Sequence, residues 1–456
     1  MGRLCLAAAV MLATLAPGPR AGAAEVTRVA TAAEKDNPFD LVLSVRWDRL
    51  QEKALITRER AVDSATLPPY GGLEDITQLR YFRQANIIVP RIAFGVYEDV
   101  EIHVELPYVL NDDRQWRYGL VNGVPADVAY PGQSIGDNTL DAMNRTCPGA
   151  PGVPCPLFSV PGTVYHGGML GDVKVGAAWA VLNDAKDPTT SSWVVGVDVT
   201  GPSAKLYDPA LNRGTTNWDS PYAVPAKPGP LGEQVWRYDA WTALSRRFGP
   251  ADPYVRVHAT SVRKSNKTYS NCDHADEMST MAVAQYTIAG AENCKASSWQ
   301  NDSGAQLPWM GGMTLGVELV PFEKPGANQK VSLDFRGTVE YTSAQRFYNQ
   351  LTDPTGKLLF TEPYYTLGGK FTLLLRASKY FTFDAIATYQ KQTDHLLTGE
   401  SLGRSGVDAA GNDISGATSN ALMNPNYDWR WDAPGRRFRL KESNIFTAAV
   451  GAHLTF

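Results

Sequence analysis

The sequence predicts an all-β protein: a transmembrane antiparallel up-and-down β-barrel of about 12 strands, with short periplasmic turns and long extracellular loops. Three observations support this fold class. Apolar residues recur at every second position in a series of segments, and short connections alternate with long ones. Charged residues within a segment fall on the face opposite its large apolar residues. A soluble β-sandwich, the alternative, has little reason to sort its connections by length.

The alternating segments can be followed in order along the chain. The clearest is 331–341, where Val331, Leu333 and Phe335 share one face while Asp334 and Arg336 lie on the other. The expected strands lie near 39–47, 87–96, 100–108, 173–181, 193–199, 236–244, 255–259, 313–319, 331–341, 365–375, 381–389 and 446–456. The expected long loops lie at about 48–84, 109–168, 203–233, 264–309, 346–363 and 393–444, which are rich in Gly, Pro and polar residues.

The last segment alternates up to the terminal residue. Phe446, Val450, Leu454 and Phe456 share one face, opposite smaller or polar residues. This ending resembles the C-terminal signal that bacterial outer-membrane barrels present to their assembly machinery. The resemblance implies that Leu454 and Phe456 form an assembly signal, and that the barrel-assembly machinery and periplasmic chaperones are partners.

The two ends of the chain divide it into three parts. Residues 1–24 have one early arginine, an apolar run and a small-residue ending, which is typical of a cleaved signal peptide. Residues 25–38 are expected to form a periplasmic N-terminal segment, and 39–456 to form the barrel with its long loops. We therefore expect the protein in the bacterial outer membrane, in contact with outer-membrane lipid and lipopolysaccharide.

The face opposite the large apolar residues is expected to line the barrel lumen, because a charge facing lipid at mid-membrane costs about 2–4 kcal/mol for Arg or Lys. Charges of both signs lie on this face, which suits either a polar pathway for a small-molecule solute or a salt-bridged filling. The lumen-lining candidates are Arg46, Arg91, Glu101, His103, Glu105, Asp172, Lys174, Asp198, Arg237, Asp239, Arg256, His258, Glu318, Asp334, Arg336, Glu340, Lys370 and Asp384.

Four cysteines follow the signal peptide, and they form two local pairs within polar stretches. An even number in an exported chain predicts two disulfides, each closing one loop, and the candidates are Cys147, Cys155, Cys272 and Cys294. Residues 272–277 also contain thiol, imidazole and carboxylate groups, which bind zinc. No second ligand pair of the usual spacing accompanies them, so no metal site is predicted.

The formal net charge of −4 is small for 456 residues. A nucleic-acid partner would call for a basic surface, and none is expected. The sequence offers no motif for a cofactor. These features leave a barrel that handles small solutes or presents its loops.

Two short motifs carry a resemblance to a known family. They are 96–108, which ends in Leu106-Pro107-Tyr108, and 171–176, which is Gly-Asp-Val-Lys-Val-Gly. Together they resemble the signature of the phenol-degradation meta-pathway outer-membrane proteins, a family similar to the outer-membrane fatty-acid transporters. The resemblance extends from about residue 87 to 201. It implies a channel or transporter for passive passage of small, hydrophobic or aromatic solutes.

Two other functions remain open at this stage. The first is a non-conducting barrel that presents its extracellular loops for adhesion or structure. The second is an outer-membrane phospholipase-like enzyme, which would need a serine and a histidine within hydrogen-bond reach. No histidine lies in a phospholipase-type segment, and Asp394-His395 is an adjacent acid–histidine pair in an expected loop, of the kind that outer-membrane proteases use. We expect no enzymatic activity.

Overall fold

The computed structural model describes residues 24–30, 40–61, 72–130, 162–210, 228–273, 303–403 and 424–456, except 185, 188 and 189, together with short pieces at 135, 146–147, 150–154, 160, 293–294 and 299. The strands of the barrel wall and its extensions up to the fourth loop are β1 (Leu41–Ala61), β2 (Leu73–Tyr97), β3 (Val100–Glu105), β4 (Tyr108–Tyr118), β5 (Gly162–His166), β6 (Met169–Leu170), β7 (Lys174–Leu182), β8 (Ser192–Thr200), β9 (Val235–Ser245) and β10 (Ala251–Lys264). The remaining wall strands are β11 (Trp309–Lys324), β12 (Gln329–Thr342), β13 (Tyr364–Arg376), β14 (Phe381–Gln392) and β15 (Phe438–Thr455).

Smaller elements lie in the connections. The helices are α1 (Ala126–Ala129), α2 (Thr352–Thr355) and α3 (Trp429–Asp432), with 3-10 turns at Glu25–Thr27 and Pro325–Ala327. Short strands pair as Leu120–Val121 with Val124–Pro125, Thr146–Cys147 with Ala150–Pro154, and Gln345–Phe347 with Leu359–Thr361, while His395–Leu396 pairs with β15. No helix among the described residues is long and apolar enough to cross a membrane.

Twelve antiparallel strands close into a barrel, as the sequence predicts. Around the wall the order is β1, β15, β14, β13, β12, β11, β10, β9, β8, β7, β3 and β2, and β2 pairs back with β1. All neighbours are antiparallel, and short turns join strands at the end that holds the C-terminus, where Phe456 N–H donates to the Leu41 carbonyl. Closure leaves no sheet edge unpaired in hydrocarbon.

The outer surface of the barrel carries a belt of exposed apolar side chains, because alternate residues of each strand point outward. On β1 the belt contains Val45 and Trp47, which are 53% and 38% exposed although they are large and apolar. Other members of the belt are Ile92, Val96, Val175, Trp179, Val197, Leu315, Phe335, Leu367, Phe383 and Val450. This belt is the surface that a transmembrane barrel presents to lipid.

Several strands are longer than the sequence predicts. β1 and β2 cover most of 48–84, which was expected to be a loop, and 438–444 belongs to β15 rather than to the last loop. The wall continues past the apolar belt, where outward residues such as Arg49 and Lys53 are polar. There β1 stays paired with β2 as far as Ala61, with one shift in register between Ile56 and Thr57. Alternation of apolar residues identifies a strand only where one of its faces meets lipid. The prediction that 48–84 and 438–444 are loops was therefore wrong.

The wall is interrupted at one level in two neighbouring strands. β3 ends at Glu105 and β4 begins at Tyr108, while β6 ends at Leu170 and β7 begins at Lys174. Pro107 has no backbone N–H to donate, so it breaks the ladder here. Among the described residues, Gly171 N–H donates to the Pro107 carbonyl across this interruption at 2.7 Å.

Candidate channel lumen

One side of the barrel interior carries a chain of charged groups from β2, β3 and β8. Arg91 lies 2.5 Å from Glu101, whose carboxylate is also 3.1 Å from His103 Nδ1. His103 Nε2 is 2.8 Å from Asp198, and Trp241 Nε1 donates to the same carboxylate at 3.2 Å. The two carboxylates hold the imidazole ring from both sides, so its orientation is set by the surrounding barrel.

This arrangement depends on a glycine. A Cβ built on Gly176 would lie 2.0 Å from Asp198 Oδ1 and 2.4 Å from His103 Nε2. Gly176 ends the Gly-Asp-Val-Lys-Val-Gly motif, and its missing side chain leaves the space in which the imidazole and the carboxylate meet. Next to this cluster, Lys174 lies 2.7 Å and Arg91 3.6 Å from Glu105.

The opposite side carries a second set of pairs. Tyr254 donates its hydroxyl to Asp334 at 2.6 Å, and Arg336 pairs with the same carboxylate. Lys330 lies 2.6 Å from Glu318. Three more pairs lie in the interior: His258 with Glu340 at 3.1 Å, His453 with Asp384 at 2.5 Å, and Arg46 with Asp48 at 2.6 Å.

Two interior cations have no carboxylate at ion-pair distance within the described part of the chain. They are Lys370 and Arg256, whose guanidinium carbon lies 4.5 Å from the ring centre of Trp241. Both line a cavity of about 300 Å³, together with Asp239, His258 and Arg336. The middle of the lumen therefore has an excess of positive charge on one side.

Residues 24–30, the described part of the N-terminal segment, lie inside the barrel. Glu25 N–H donates to Glu318 at 2.8 Å, and the Glu25 carboxylate is 3.1 Å from Arg376. Ala30 N–H donates to Glu101 at 2.8 Å on the other side of the lumen. The segment was expected in the periplasm. That expectation is wrong for residues 24–30, because their backbone amides and the Glu25 carboxylate bind side chains on the inward faces of the barrel strands. The alternation of apolar residues in the sequence does not reveal such contacts.

A larger cavity of about 430 Å³ runs beside this segment. Residues 25, 26 and 28–30 form part of its lining. The rest of the lining includes these predicted lumen residues: Arg46, Arg91, Glu101, His103, Glu105, Lys174, Asp198, Arg256, Arg336, Lys370 and Asp384. Residues 24–30 therefore narrow the lumen and leave this cavity beside them.

The remaining predicted lumen residues have individual positions. Asp172 lies in the wall interruption and accepts Ala204 N–H at 2.9 Å, while Arg237 pairs with Glu233. Asp239 accepts the Thr260 hydroxyl at 2.7 Å. The alternation places Trp241 on the same face as Arg237 and Asp239, but neither Trp241 nor Tyr254 was among the lumen-lining candidates.

The outer end of the barrel is covered by packed loops. A core of buried apolar residues joins inward faces of β1, β2, β4 and β15 to the loops, and it contains Ile56, Leu79, Tyr81, Trp116, Leu351, Leu359, Leu397, Trp431, Phe438 and Leu440. A second cluster contains Val235, Val262, Tyr269, Ala305, Phe347 and Leu358. We call these packed loops the outer cap.

One carboxylate in α2 ties the outer cap to the wall. Asp353 is fully buried and is contacted by His166 Nε2 at 2.9 Å, by Arg114 at 2.9 Å and by the Tyr207 hydroxyl. Burial alone would raise the pKa of Asp353, but Arg114 and His166 outweigh it and hold that pKa well below its usual range. The same burial raises the pKa of the Tyr207 phenol.

The structure shows one of the two predicted disulfides. Cys272 and Cys294 are bonded, with Cα atoms 5.3 Å apart. Cys155 and the side chain of Cys147 lie outside the described residues, so their pairing stays a prediction. Cys272 is therefore not a metal ligand, and residues 274–277 also lie outside the described part. Where the structure is described, it contains no group of three or more metal-ligating side chains.

The histidines of the described residues contact acids or carbonyls rather than serine hydroxyls. His103, His258 and His453 contact carboxylates within the lumen, and His166 contacts Asp353. His395, expected at an exposed loop, is 2% exposed; it stacks on Tyr364 and contacts the Thr393 carbonyl. The adjacent Asp394-His395 pair is thus not presented at a loop tip.

Comparison with known proteins gives only distant likenesses. No protein-family model and no curated protein matches the chain. An outer-membrane channel from Pseudomonas putida F1 is 9% identical, with 97% of this chain and 100% of that one covered and a TM-score of 0.40. A Pseudomonas aeruginosa FadL homologue is 7% identical, with coverages of 92% and 90% and a TM-score of 0.32. The outer membrane protease OmpT from Escherichia coli is 9% identical, with coverages of 91% and 97% and a TM-score of 0.24. Similarity this low does not decide between a channel and an enzyme.

Proposed function

We propose that this chain is a channel of the bacterial outer membrane that lets small hydrophobic or aromatic solutes cross by passive diffusion. The observation that carries the proposal is the charge-lined cavity at membrane level. Arg256 and Lys370 face it without an acidic partner among the described residues. An unpaired charge in a dry interior costs several kcal/mol, which supports a hydrated cavity rather than a salt-bridged filling.

The wall interruption at Pro107 supports a route for solutes that dissolve in the membrane. A solute arriving along the barrel axis from outside would meet the outer cap with its packed apolar core. A solute in the outer leaflet would instead meet the wall interruption, where β3 is followed by β4 and β6 by β7, and where the Gly171 N–H bond to the Pro107 carbonyl joins the two sides. This path suits hydrophobic or aromatic compounds better than polar ones.

Conductance and uptake test the proposal together. The refolded protein is placed in planar bilayers for single-channel recording, and in liposomes for uptake of a neutral aromatic compound. We expect ion conductance from the hydrated lumen and uptake above that of protein-free liposomes. Absence of both would contradict the channel. It would favour the second candidate, a barrel whose function lies in its outer loops, because the outer cap is extensively packed.

A cross-link tests the lateral route. A Cβ on Gly171 would lie 3.6 Å from the Pro107 Cβ, which is within the range for a disulfide, so Pro107→Cys combined with Gly171→Cys can close the interruption. Oxidation should block aromatic uptake while ion conductance persists, and reductant should restore uptake. The unmodified protein, treated with the same reductant, is the control for effects on Cys272–Cys294. Unchanged uptake in the oxidised variant would refute the lateral route.

A further inference from the structure

The outward face of β1, β2 and β4 becomes basic just beyond the apolar belt. Trp47, Ile88 and Tyr108 lie side by side across these strands near the end of the belt, and the exposed Leu110 follows them on β4. Further from the periplasm, the same outward rows continue with exposed cations in place of apolar residues: Arg49, Lys53, Arg80 and Arg117. We call these four residues the outer basic patch.

The outer basic patch is not neutralised by its neighbours. Arg49 donates to the Gln84 amide oxygen at 3.2 Å and Arg80 to the Tyr118 carbonyl at 3.4 Å, neither of which is an acid. Lys53 and Arg117 contact no carboxylate at ion-pair distance in the described ranges. The acids beside the patch are Asp113, which accepts the Asn111 amide at 2.9 Å, and Glu442. Further along β2, Glu74 lies 3.0 Å from Arg60 and Asp75 lies 2.7 Å from Lys441, so these two acids are already paired with other cations.

A groove of about 570 Å³ lies within the patch. It forms where the pairing of β1 with β15 shifts between Lys53 and Leu55, opposite Glu442, whose φ is 51°. Such a bulge bends the strand and opens the wall locally. The groove combines apolar side chains with three cations, and its lining is Lys53, Ala54, Leu55, Arg80, Tyr81, Phe82, Gln115, Arg117, Glu442 and Asn444.

The height of the patch indicates the size of the ligand. Arg80 is eight residues beyond Ile88, which is about 26 Å along the strand and about 19 Å along the membrane normal at an ordinary tilt. Arg49 is two residues beyond Trp47, or about 5 Å along the normal. A phospholipid headgroup layer is only about 5–8 Å deep on each side, so a single phosphodiester would reach the lower cations alone.

We propose that the outer basic patch binds lipopolysaccharide through its phosphate groups, with the sugar and upper acyl surface resting on the apolar side chains of the groove. A headgroup that carries several phosphates on a stacked saccharide spans the distance from Arg49 to Arg80. Arginine and lysine bind phosphate by charge-assisted hydrogen bonds. The site rests on the proposed outer-membrane location, but it does not depend on solute passage.

Binding of purified lipopolysaccharide to the full-length protein in detergent tests this site. The probes are phosphorylated rough lipopolysaccharide, the same material after phosphate removal, and phosphatidylglycerol in mixed micelles. The test variant combines Lys53→Glu, Arg80→Glu and Arg117→Glu. The matched control is Lys267→Glu, an exposed lysine in a loop away from the patch. Folding of each variant is checked by its shift in gel mobility on boiling, and conductance is recorded for all of them.

We expect the unmodified protein to bind phosphorylated lipopolysaccharide most tightly. The triple variant should lose at least about a hundredfold in affinity, while Lys267→Glu and the combination of Lys53→Arg with Arg80→Lys should retain it. If the triple variant does not fold, Arg117→Gln alone should still weaken binding severalfold. Equal binding of the dephosphorylated material, equal binding of phosphatidylglycerol, or an unaffected patch variant would each overturn the proposal. Unchanged conductance in the patch variant would show that the lipid site and the lumen are separate.

Discussion

His166 Nε2 lies 2.9 Å from a carboxylate oxygen of Asp353, although 187 residues separate the two in the sequence. His166 belongs to β5 in the wall, and Asp353 to α2 in the outer cap. Arg114 and Tyr207 meet the same carboxylate, so one acid joins the wall to two loops. The outer cap is therefore held by charge as well as by its apolar core.

Replacing this acid should loosen the outer cap. Asp353→Ala leaves the buried Arg114 charge without its partner in α2, and breaking a buried pair in this way costs about 3–5 kcal/mol. We expect faster trypsin cleavage of the outer loops at neutral pH, while the barrel keeps its gel-mobility shift on boiling. Asp394→Ala, at an exposed loop residue, is the control and should leave the cleavage rate unchanged.

The same site predicts a pH dependence. The pKa of Asp353 is held well below the usual value of 3.8, so its stabilising effect is fully present above about pH 4 and is lost as the pH falls from there through the lowered pKa. Loop cleavage by an acid-active protease should rise on acidification in the unmodified protein. In Asp353→Asn that rise should be much smaller, and an equal rise in both would contradict the assignment.

Neutralising Glu318 should release the N-terminal segment from the lumen. Glu318 is buried, accepts Glu25 N–H and pairs with Lys330. Glu318→Gln removes the negative charge that balances Lys330 and weakens the bond to the segment. We expect larger single-channel conductance and exposure of the N-terminus to aminopeptidase. Glu98→Gln, at an exposed periplasmic turn, is the control, and equal conductance in both variants would refute this role.

A methyl group at Gly176 should disturb the charged cluster of the lumen. The new Cβ would overlap the positions of Asp198 Oδ1 and His103 Nε2, so Gly176→Ala must push the imidazole and carboxylate apart. Strain of this kind costs about 1–3 kcal/mol. We expect a lower midpoint of unfolding in urea. Gly337→Ala, where a Cβ would meet nothing within 4 Å, should match the unmodified protein.

The excess of interior positive charge should favour anions. Arg256→Glu combined with Lys370→Glu reverses two cations that line the same cavity. In bilayers with a salt gradient, the reversal potential should shift from anion towards cation selectivity in this variant. Lys391→Glu, an exposed position on the outer surface, is the control. An unchanged reversal potential in the double variant would show that ions do not pass this cavity.

The terminal aromatic residue provides a test of the assembly signal. Phe456 is exposed at the periplasmic end of β15, and its backbone is already paired with Leu41. Deleting it should reduce the amount of protein in the outer membrane, while refolding of the purified variant in detergent should be nearly normal. Phe456→Trp should restore the cellular level. Normal levels after the deletion would contradict the signal.

The sequence by itself determined the barrel class and the strands that cross the apolar belt, and it separated the charges of those strands from their large apolar residues. These properties are local, because the contrast between lipid and lumen imposes a period of two on every crossing strand, as in 331–341. The Gly-Asp-Val-Lys-Val-Gly motif was also visible, although its glycine became meaningful only when Gly176 was found between His103 and Asp198.

The tertiary structure alone decided which charges meet. Asp353 and His166 come together because barrel closure brings distant loops to one end, and neither residue lies in a periodic pattern. Residues 24–30 enter the lumen through backbone contacts with Glu318 and Glu101, and backbone groups leave no trace in side-chain periodicity. Beyond the apolar belt the outward face of β1 and β2 is polar, while the inward face packs against the outer cap, so the contrast between lipid and lumen no longer marks these strands in the sequence.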